Sequence, residues 1–200
     1  MVAGPDARAR VAHRHDAAGR DDLPADGPIL APEQTVRDEW TDYNGHLNMA
    51  YYNVLFDEAV NAALNGLGVG PDQAATGTMS VFTAQAHVHY LRELHAGDRV
   101  RVSLRVLGVD AKRLHYVQTM THAGTPAGTQ AGTQAGTQAG NGFVAAVSEN
   151  LTLSVDLSTR RVTPWTAPVF ARLQALAAAH ADLPVPPQVG RVIGLNRPPA

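Results

Sequence analysis

The sequence predicts one α+β domain in which an antiparallel sheet wraps round a single long helix. Apolar residues recur from Tyr52 through Leu55, Phe56, Ala59, Val60, Ala63 and Leu64 to Leu67, the i, i+3, i+4, i+7 spacing of one buried helix face. Four strand-like runs follow, joined by tight turns such as Ala96-Gly97-Asp98 and Val109 to Lys112. A helix and an antiparallel sheet that each have one apolar face must bury those faces on each other. A length of 200 residues with 44% apolar content suffices for one core.

Taken in order, residues 1 to 31 mix Ala, Asp, Arg, Gly and Pro without periodicity and read as a disordered leader. The folded domain is expected over residues 32–165. Thr35 to Trp40 is a short candidate strand. The long helix runs from about Met49 to Asn65, roughly 25 Å at 1.5 Å per residue. Asn48 or Asn44 supplies its N-cap, and Gly66, Gly68 and Pro71 supply its stop. Residues 70–77 read as loop. The strand-like runs are Thr78 to Leu91, Arg99 to Leu107, Arg113 to His122 and Gly142 to Val155. The second alternates Arg with Val and Ser with Leu, as a strand with one wet face does. Ala-Gly-Thr-Gln occurs three times over residues 127–138. That period is far too short for a solenoid unit, so residues 123–142 are expected to be a flexible hairpin loop. A C-terminal helix is expected within residues 166–182, covering Phe170 to His180, followed by a Pro-rich tail over 183–200.

The formal charge of −2 gives no reason to expect nucleic acid or an acidic membrane as partner. The absence of cysteine excludes disulfides, thiolate metal sites and a cysteine nucleophile. No apolar run reaches the ~18 residues of a membrane span, and no apolar stretch follows Arg8, Arg10 and Arg14 as in a signal peptide. A cytoplasmic protein is the expectation.

The stretch that carries chemistry is Asp42-Tyr43-Asn44-Gly45-His46-Leu47-Asn48-Met49-Ala50-Tyr51-Tyr52, where a polar turn opens into the long helix. It resembles the D-x-x-G-H-x-N-x-x-Y segment of hotdog-fold acyl-CoA thioesterases of the 4-hydroxybenzoyl-CoA thioesterase type. With Glu39-Trp40, Val81-Phe82, His87 to Glu93, Asp110 to Tyr116, Val155-Asp156 and Arg160-Arg161, the set is similar to thioesterases associated with carnitine dehydrogenase, betainyl-CoA thioesterases among them. The resemblance covers roughly residues 33 to 165. It implies a hotdog fold, a five-stranded antiparallel sheet round the central helix, and hydrolysis of a small acyl-CoA thioester.

Thioester hydrolysis needs a nucleophile or base, and donors aimed at the carbonyl oxygen. A carboxylate beside a helix N-terminus meets both needs, because the free N–H groups of the first turn face the developing charge. Asp42 is therefore the candidate catalytic residue, and Gly45 lets backbone approach substrate. The resemblance implies that Asp42 acts as nucleophile or general base and that the Met49 N–H polarises the carbonyl. Asp42 and Asn48 also read as caps of the turn and helix. His46 is a candidate for orienting water, donating to the oxygen or holding Asp42. Asp57 and Glu58 lie on the helix itself, where another hotdog branch uses a glutamate; here they read as surface or interface charges.

Tyr43, Tyr52 and Phe82, with Trp40 and Tyr51, are candidates to face a cationic acyl group. Thr83, Gln85, His87 and His89 are candidates to line the acyl pocket. Arg92, Lys112 and Arg113 are candidate contacts for CoA phosphates. His87 and His89 fall on one side of a strand, but no third ligand stands at defined spacing, so neither metal nor cofactor is expected. A hotdog hydratase would need G-D-x-N-P-x-H, which Asp42 to His46 does not match. A non-catalytic acyl-binding module is the remaining alternative. The family resemblance and the weakly charged run Thr78 to Val88 together lead us to expect a homodimer or dimer of dimers, joined edge to edge into a ten-stranded sheet.

Overall fold

The computed structural model describes residues 27–124 and 142–195. The expected leader up to residue 26, the Ala-Gly-Thr-Gln repeat and the last five residues lie outside the described residues. In chain order the elements are β1 (Ile29–Leu30), β2 (Gln34–Thr35), a 3-10 turn (Asp38–Trp40), α1 (Met49–Leu67), α2 (Pro71–Thr76), β3 (Met79–Tyr90), β4 (Arg99–Val109), β5 (Arg113–Gly124), β6 (Val144–Asp156), β7 (Arg161–Val162) and α3 (Ala167–Ala179). The strands form one antiparallel sheet in the order β1-β4-β5-β6-β3, with β2 also on β4 and β7 on β6.

Four long strands match the four expected runs. The fifth position of the sheet is filled by two dipeptides, β1 and β2, laid end to end along β4. β1 falls within what the sequence assigned to the leader. Its order comes from one buried side chain, Ile29, and two strand pairs, too little to show as periodicity. The strand expected over Thr35 to Trp40 ends at Thr35. The chain then turns, because the Thr41 N–H and hydroxyl both donate to the Asp38 carbonyl, at 3.1 and 2.8 Å, and Trp40 is carried into the core. The expected loop over 70–77 contains α2. Pro71 opens it, the Gly70 N–H donates to Gln73 Oε1 at 3.1 Å, and the Asp72 N–H donates to Asn65 Oδ1 at 3.1 Å.

α1 runs two residues beyond its expected end and stops at Gly68, whose φ of 80° lets its N–H reach the Asn65 carbonyl at 3.0 Å. The apolar face buries two stretches. The C-terminal half, Val60 to Leu67, packs with Leu104, Val106, Leu114 and Tyr116 of the sheet and with Val169, Leu173 and Leu176 of α3. The N-terminal half, Tyr52 to Ala59, packs with Trp40, Leu47, Val100, Val102 and Met120. Between the halves, the buried Gln118 side chain donates to the Phe56 carbonyl at 2.9 Å, tying β5 to the middle of the helix. This second packing layer fixes where the N-terminus of α1 points.

His180, just past α3, is fully buried. Its Nδ1 accepts the Val106 N–H at 2.9 Å, so Nε2 carries the proton and faces the Gly27 carbonyl at 3.0 Å. Burial holds its pKa below the ordinary 6.5, with Arg105 acting the same way against the opposing Gly27 bond. The unfolded chain therefore binds the proton first as pH falls. His180 contributes stability in full above about pH 6.5, and that stability is lost as pH drops towards the folded value. Thermal unfolding followed from pH 7.5 to 5 is expected to show a falling Tm, and His180→Gln is expected to flatten that fall. An equal slope in both proteins contradicts the assignment.

Candidate active site

The turn before α1 is a small hairpin. Thr41 bridges to Leu47, the Asp42 N–H donates to the His46 carbonyl at 3.0 Å, and the Gly45 N–H returns to the Asp42 carbonyl at 2.9 Å. Gly45 has a φ of 82°, the left-handed conformation that closing so short a turn demands. Asp42 Oδ1 accepts the Asn44 N–H at 2.8 Å, which orients the carboxylate. The hairpin is anchored by the Leu47 N–H to the Leu94 carbonyl at 2.7 Å and the Asn48 N–H to the Trp40 carbonyl at 3.0 Å.

Asn48 is the N-cap. Its side chain accepts the Ala50 N–H at 2.9 Å and its carbonyl accepts the Tyr51 N–H at 3.0 Å. The Met49 N–H is left as a first-turn donor with no partner among the described residues, at the positive end of a 19-residue helix.

Asp42, His46, Leu47, Asn48, Met49, Tyr52, Tyr90, Leu91, Arg92 and Glu93 line one cavity of about 370 Å³. His46 stands between two carboxylates, with Nδ1 4.0 Å from Asp42 Oδ1 and Nε2 4.0 Å from Glu93 Oε1. Both gaps exceed a direct hydrogen bond. The Tyr52 hydroxyl donates to the Arg92 carbonyl and the Tyr90 hydroxyl to the Met49 carbonyl, each at 3.3 Å. Burial pushes the Tyr52 phenol up to about 12 against the opposing Leu94 backbone bond, so it stays protonated and donating. The Arg92 guanidinium lies over the Phe143 ring at 3.9 Å.

Asp42, His46, Asn48, Met49, Tyr52 and Arg92 of the sequence candidates thus meet at one cavity, with Gly45 in its turn. The others stand elsewhere. Tyr43 is 97% exposed. Phe82 lies at the start of β3 with Arg160 over its ring, Thr83 is exposed on β3, and Lys112 sits in the β4–β5 turn. Arg113 is held by Asp110 at 2.6 Å beside a second cavity of about 480 Å³ that Gln85, His115 and Glu149 also line. Val88 packs into the core against α1, so His87 and His89 project from the other face of the sheet, their ring centroids 4.3 Å apart. Gln85, His87 and His89, expected to line the acyl pocket, therefore stand on the face of β3 turned away from the cavity at the start of α1. There Glu149 accepts from the Gly190 N–H at 2.7 Å and pairs with His115 at 2.8 Å; these bonds outweigh burial and hold its pKa low. Among the described residues no group of three or more His, Asp or Glu side chains is placed to hold a metal ion.

Four lining residues escaped the sequence reading: Leu47, Tyr90, Leu91 and Glu93. Three come from the end of β3 and the segment after it, which the bond between Leu47 and Leu94 brings against the turn. The family-like segment His87 to Glu93 was the signal that could have found them.

The thioesterase-like superfamily profile matches residues 36–173. A betainyl-CoA thioesterase of Pseudomonas aeruginosa is 38% identical over 163 residues, which is 82% of this chain and 92% of that protein. A bifunctional L-carnitine dehydrogenase/betainyl-CoA thioesterase of Rhizobium meliloti is 31% identical over 88% of this chain, which spans 32% of that protein's length. Among solved structures, a protein from Pseudomonas putida KT2440 superposes with a TM-score of 0.65 at 30% identity, covering 88% of this chain and all of that one. A hypothetical protein from Staphylococcus aureus, solved in complex with CoA, shares the fold with a TM-score of 0.72 at 24% identity, covering 88% of this chain and 99% of that one. A hotdog sheet round one helix, a family match over most of the chain and relatives named as thioesterases agree: the chain belongs to the thioesterase-like superfamily of hydrolases.

Proposed function

We propose that this protein hydrolyses a small acyl-CoA thioester, with betainyl-CoA the foremost candidate substrate, and that Asp42 and the Met49 N–H carry the reaction. The observation that supports this most is that Asp42, whose carboxylate is oriented by the Asn44 N–H, and Met49, whose N–H has no partner among the described residues, line the same cavity. The thioester oxygen accepts from Met49 N–H, which stabilises the charge that develops as the carbonyl carbon becomes tetrahedral. Asp42 either attacks that carbon or takes the proton of an attacking water. The carbon–sulfur bond then breaks; where Asp42 attacked, water next cleaves the acyl–Asp42 anhydride, and by either route water's oxygen and one proton enter the acid while its other proton goes to the CoA sulfur. His46, between two carboxylates, orients the water or Asp42.

Arg92 at the cavity is the proposed contact for the anionic CoA chain. β3 is the outer strand of the sheet, and its open edge is the proposed seam of a homodimer. No helix among the described residues is long and apolar enough to cross a membrane; cytoplasmic residence is part of the same proposal.

Thiol release from a panel of CoA thioesters carrying betainyl, short linear and aromatic acyl groups tests the reading. The expected result is turnover with betainyl-CoA preferred, at kcat/KM of about 10⁴ M⁻¹s⁻¹ or more. No release above the spontaneous rate from any member would make the chain an acyl-binding module instead.

A further inference from the structure

Beyond His46, on the side away from Asp42, stands Glu93, to which the hydrolytic scheme gives no part. Asp42 Oδ1, the His46 ring and Glu93 Oε1 form a row with 4.0 Å at each step, and all three line the cavity at the start of α1. Tyr52 and Tyr90 also line it, edge to face with centroids 5.2 Å apart. Their hydroxyls are bound to the carbonyls of Arg92 and Met49, which fixes the rings. The guanidinium of Arg92 is itself engaged by the Phe143 ring.

We propose that Glu93 is a specificity-determining residue: it makes this cavity prefer an acyl group that carries a quaternary ammonium one methylene from the thioester carbonyl. This rests on the reading of Asp42 and Met49 as the reacting end. In such a group the nitrogen and the carbonyl carbon are only about 2.5 Å apart, the N–Cα–C geometry of an amino acid. A cation so close to the carbonyl cannot be placed independently of it. With the carbonyl between the Met49 N–H and Asp42, the ammonium is confined beside the row of Asp42, His46 and Glu93, with tyrosine rings in the same cavity. Quaternary ammonium groups donate no hydrogen bonds and are recognised by carboxylate charge and by ring faces. Attack spends the charge of Asp42, on the acyl carbon or on a water proton. Glu93, on the far side of His46, takes no part in that step.

The test compares betainyl-CoA with 3,3-dimethylbutanoyl-CoA, which has the same shape with carbon in place of the charged nitrogen. The wild-type protein is expected to favour the cationic thioester in kcat/KM by about tenfold or more beyond the faster spontaneous hydrolysis that its electron-withdrawing ammonium causes by itself, and this excess comes from charge and ring attraction together. Glu93→Gln is expected to cut that preference about three- to fivefold, the scale of a partly exposed ion pair. Added salt is expected to shrink the wild-type preference, since exposed charges are screened. Glu93 is an exposed side chain, so the variant keeps the fold. Equal rate enhancements over spontaneous hydrolysis for the two thioesters in the wild type overturn this inference alone. Proportional loss on both thioesters in Glu93→Gln also overturns it and makes Glu93 a positioning residue for His46. Absence of thiol release from both overturns the hydrolytic reading, and this inference with it.

Discussion

Asp42→Asn is expected to lower kcat for a CoA thioester by about 10²- to 10⁴-fold, the contribution of a positioned acid–base or nucleophilic group. The substitution preserves the turn. The amide retains the Oδ1 acceptor for the Asn44 N–H, and the bonds from Asp42 N–H to His46 and from Gly45 N–H to Asp42 are made by backbone. An uncharged amide, however, neither attacks an acyl carbon nor takes a proton from water. Thiol release and thermal unfolding measured on the same preparation separate the two effects: turnover falls and Tm holds. Retention of more than about a tenth of wild-type kcat/KM, a loss under ~1.4 kcal/mol, removes Asp42 from the reaction.

Met49→Pro is expected to cost about 10²- to 10³-fold in kcat, the value of one oxyanion donor. Proline at the first helical position is compatible with a helix, because the N–H it lacks has no intrahelical partner there. The residue before it is also suited. Asn48 has φ −64° and ψ 142°, the extended region that a residue preceding proline takes. Met49→Pro therefore deletes one donor and leaves the Asn48 cap to Ala50 in place. Met49→Ala keeps the donor and removes a side chain that is 61% exposed, so the difference between the two variants isolates the N–H. Equal activity in both, with circular dichroism unchanged, would show that another group receives the carbonyl oxygen.

The parts of the molecule that a sequence displays are those with a period. Tyr52 to Leu67 carries a helical period over more than four turns, and Arg99 to Leu107 alternates, so α1 and β4 were legible. The turn was legible because its chemistry is contiguous: the carboxylate, the glycine with positive φ and the capping asparagine lie within seven residues of one another. β1 and α2 were not. One has two residues and the other six, and each is held by bonds to distant or preceding chain, Leu30 to Ser103 in one case and Asp72 to Asn65 in the other. Glu93 and Tyr90 were missed for a related reason. Nothing local in the sequence couples them to Asp42; the Leu47 to Leu94 bond and the Tyr90 bond to Met49 do so only in three dimensions. The strand face of His87 was decided by register, where one residue's shift reverses every side chain.

Two other carboxylates compete with Asp42 for its role. Asp57 and Glu58 lie midway along α1, where Asp57 accepts from Asn61 at 3.2 Å and Glu58 from Gln34 at 2.9 Å. One side-by-side measurement decides between the helix middle and its N-terminus: kcat/KM for thiol release from a common CoA thioester by Asp42→Asn, Asp57→Asn and Glu58→Gln. The predicted result is a loss of at least about a hundredfold for Asp42→Asn and of less than about threefold for the other two. A silent Asp57→Asn or Glu58→Gln protein beside an active Asp42→Asn protein would contradict a reaction centred on the turn.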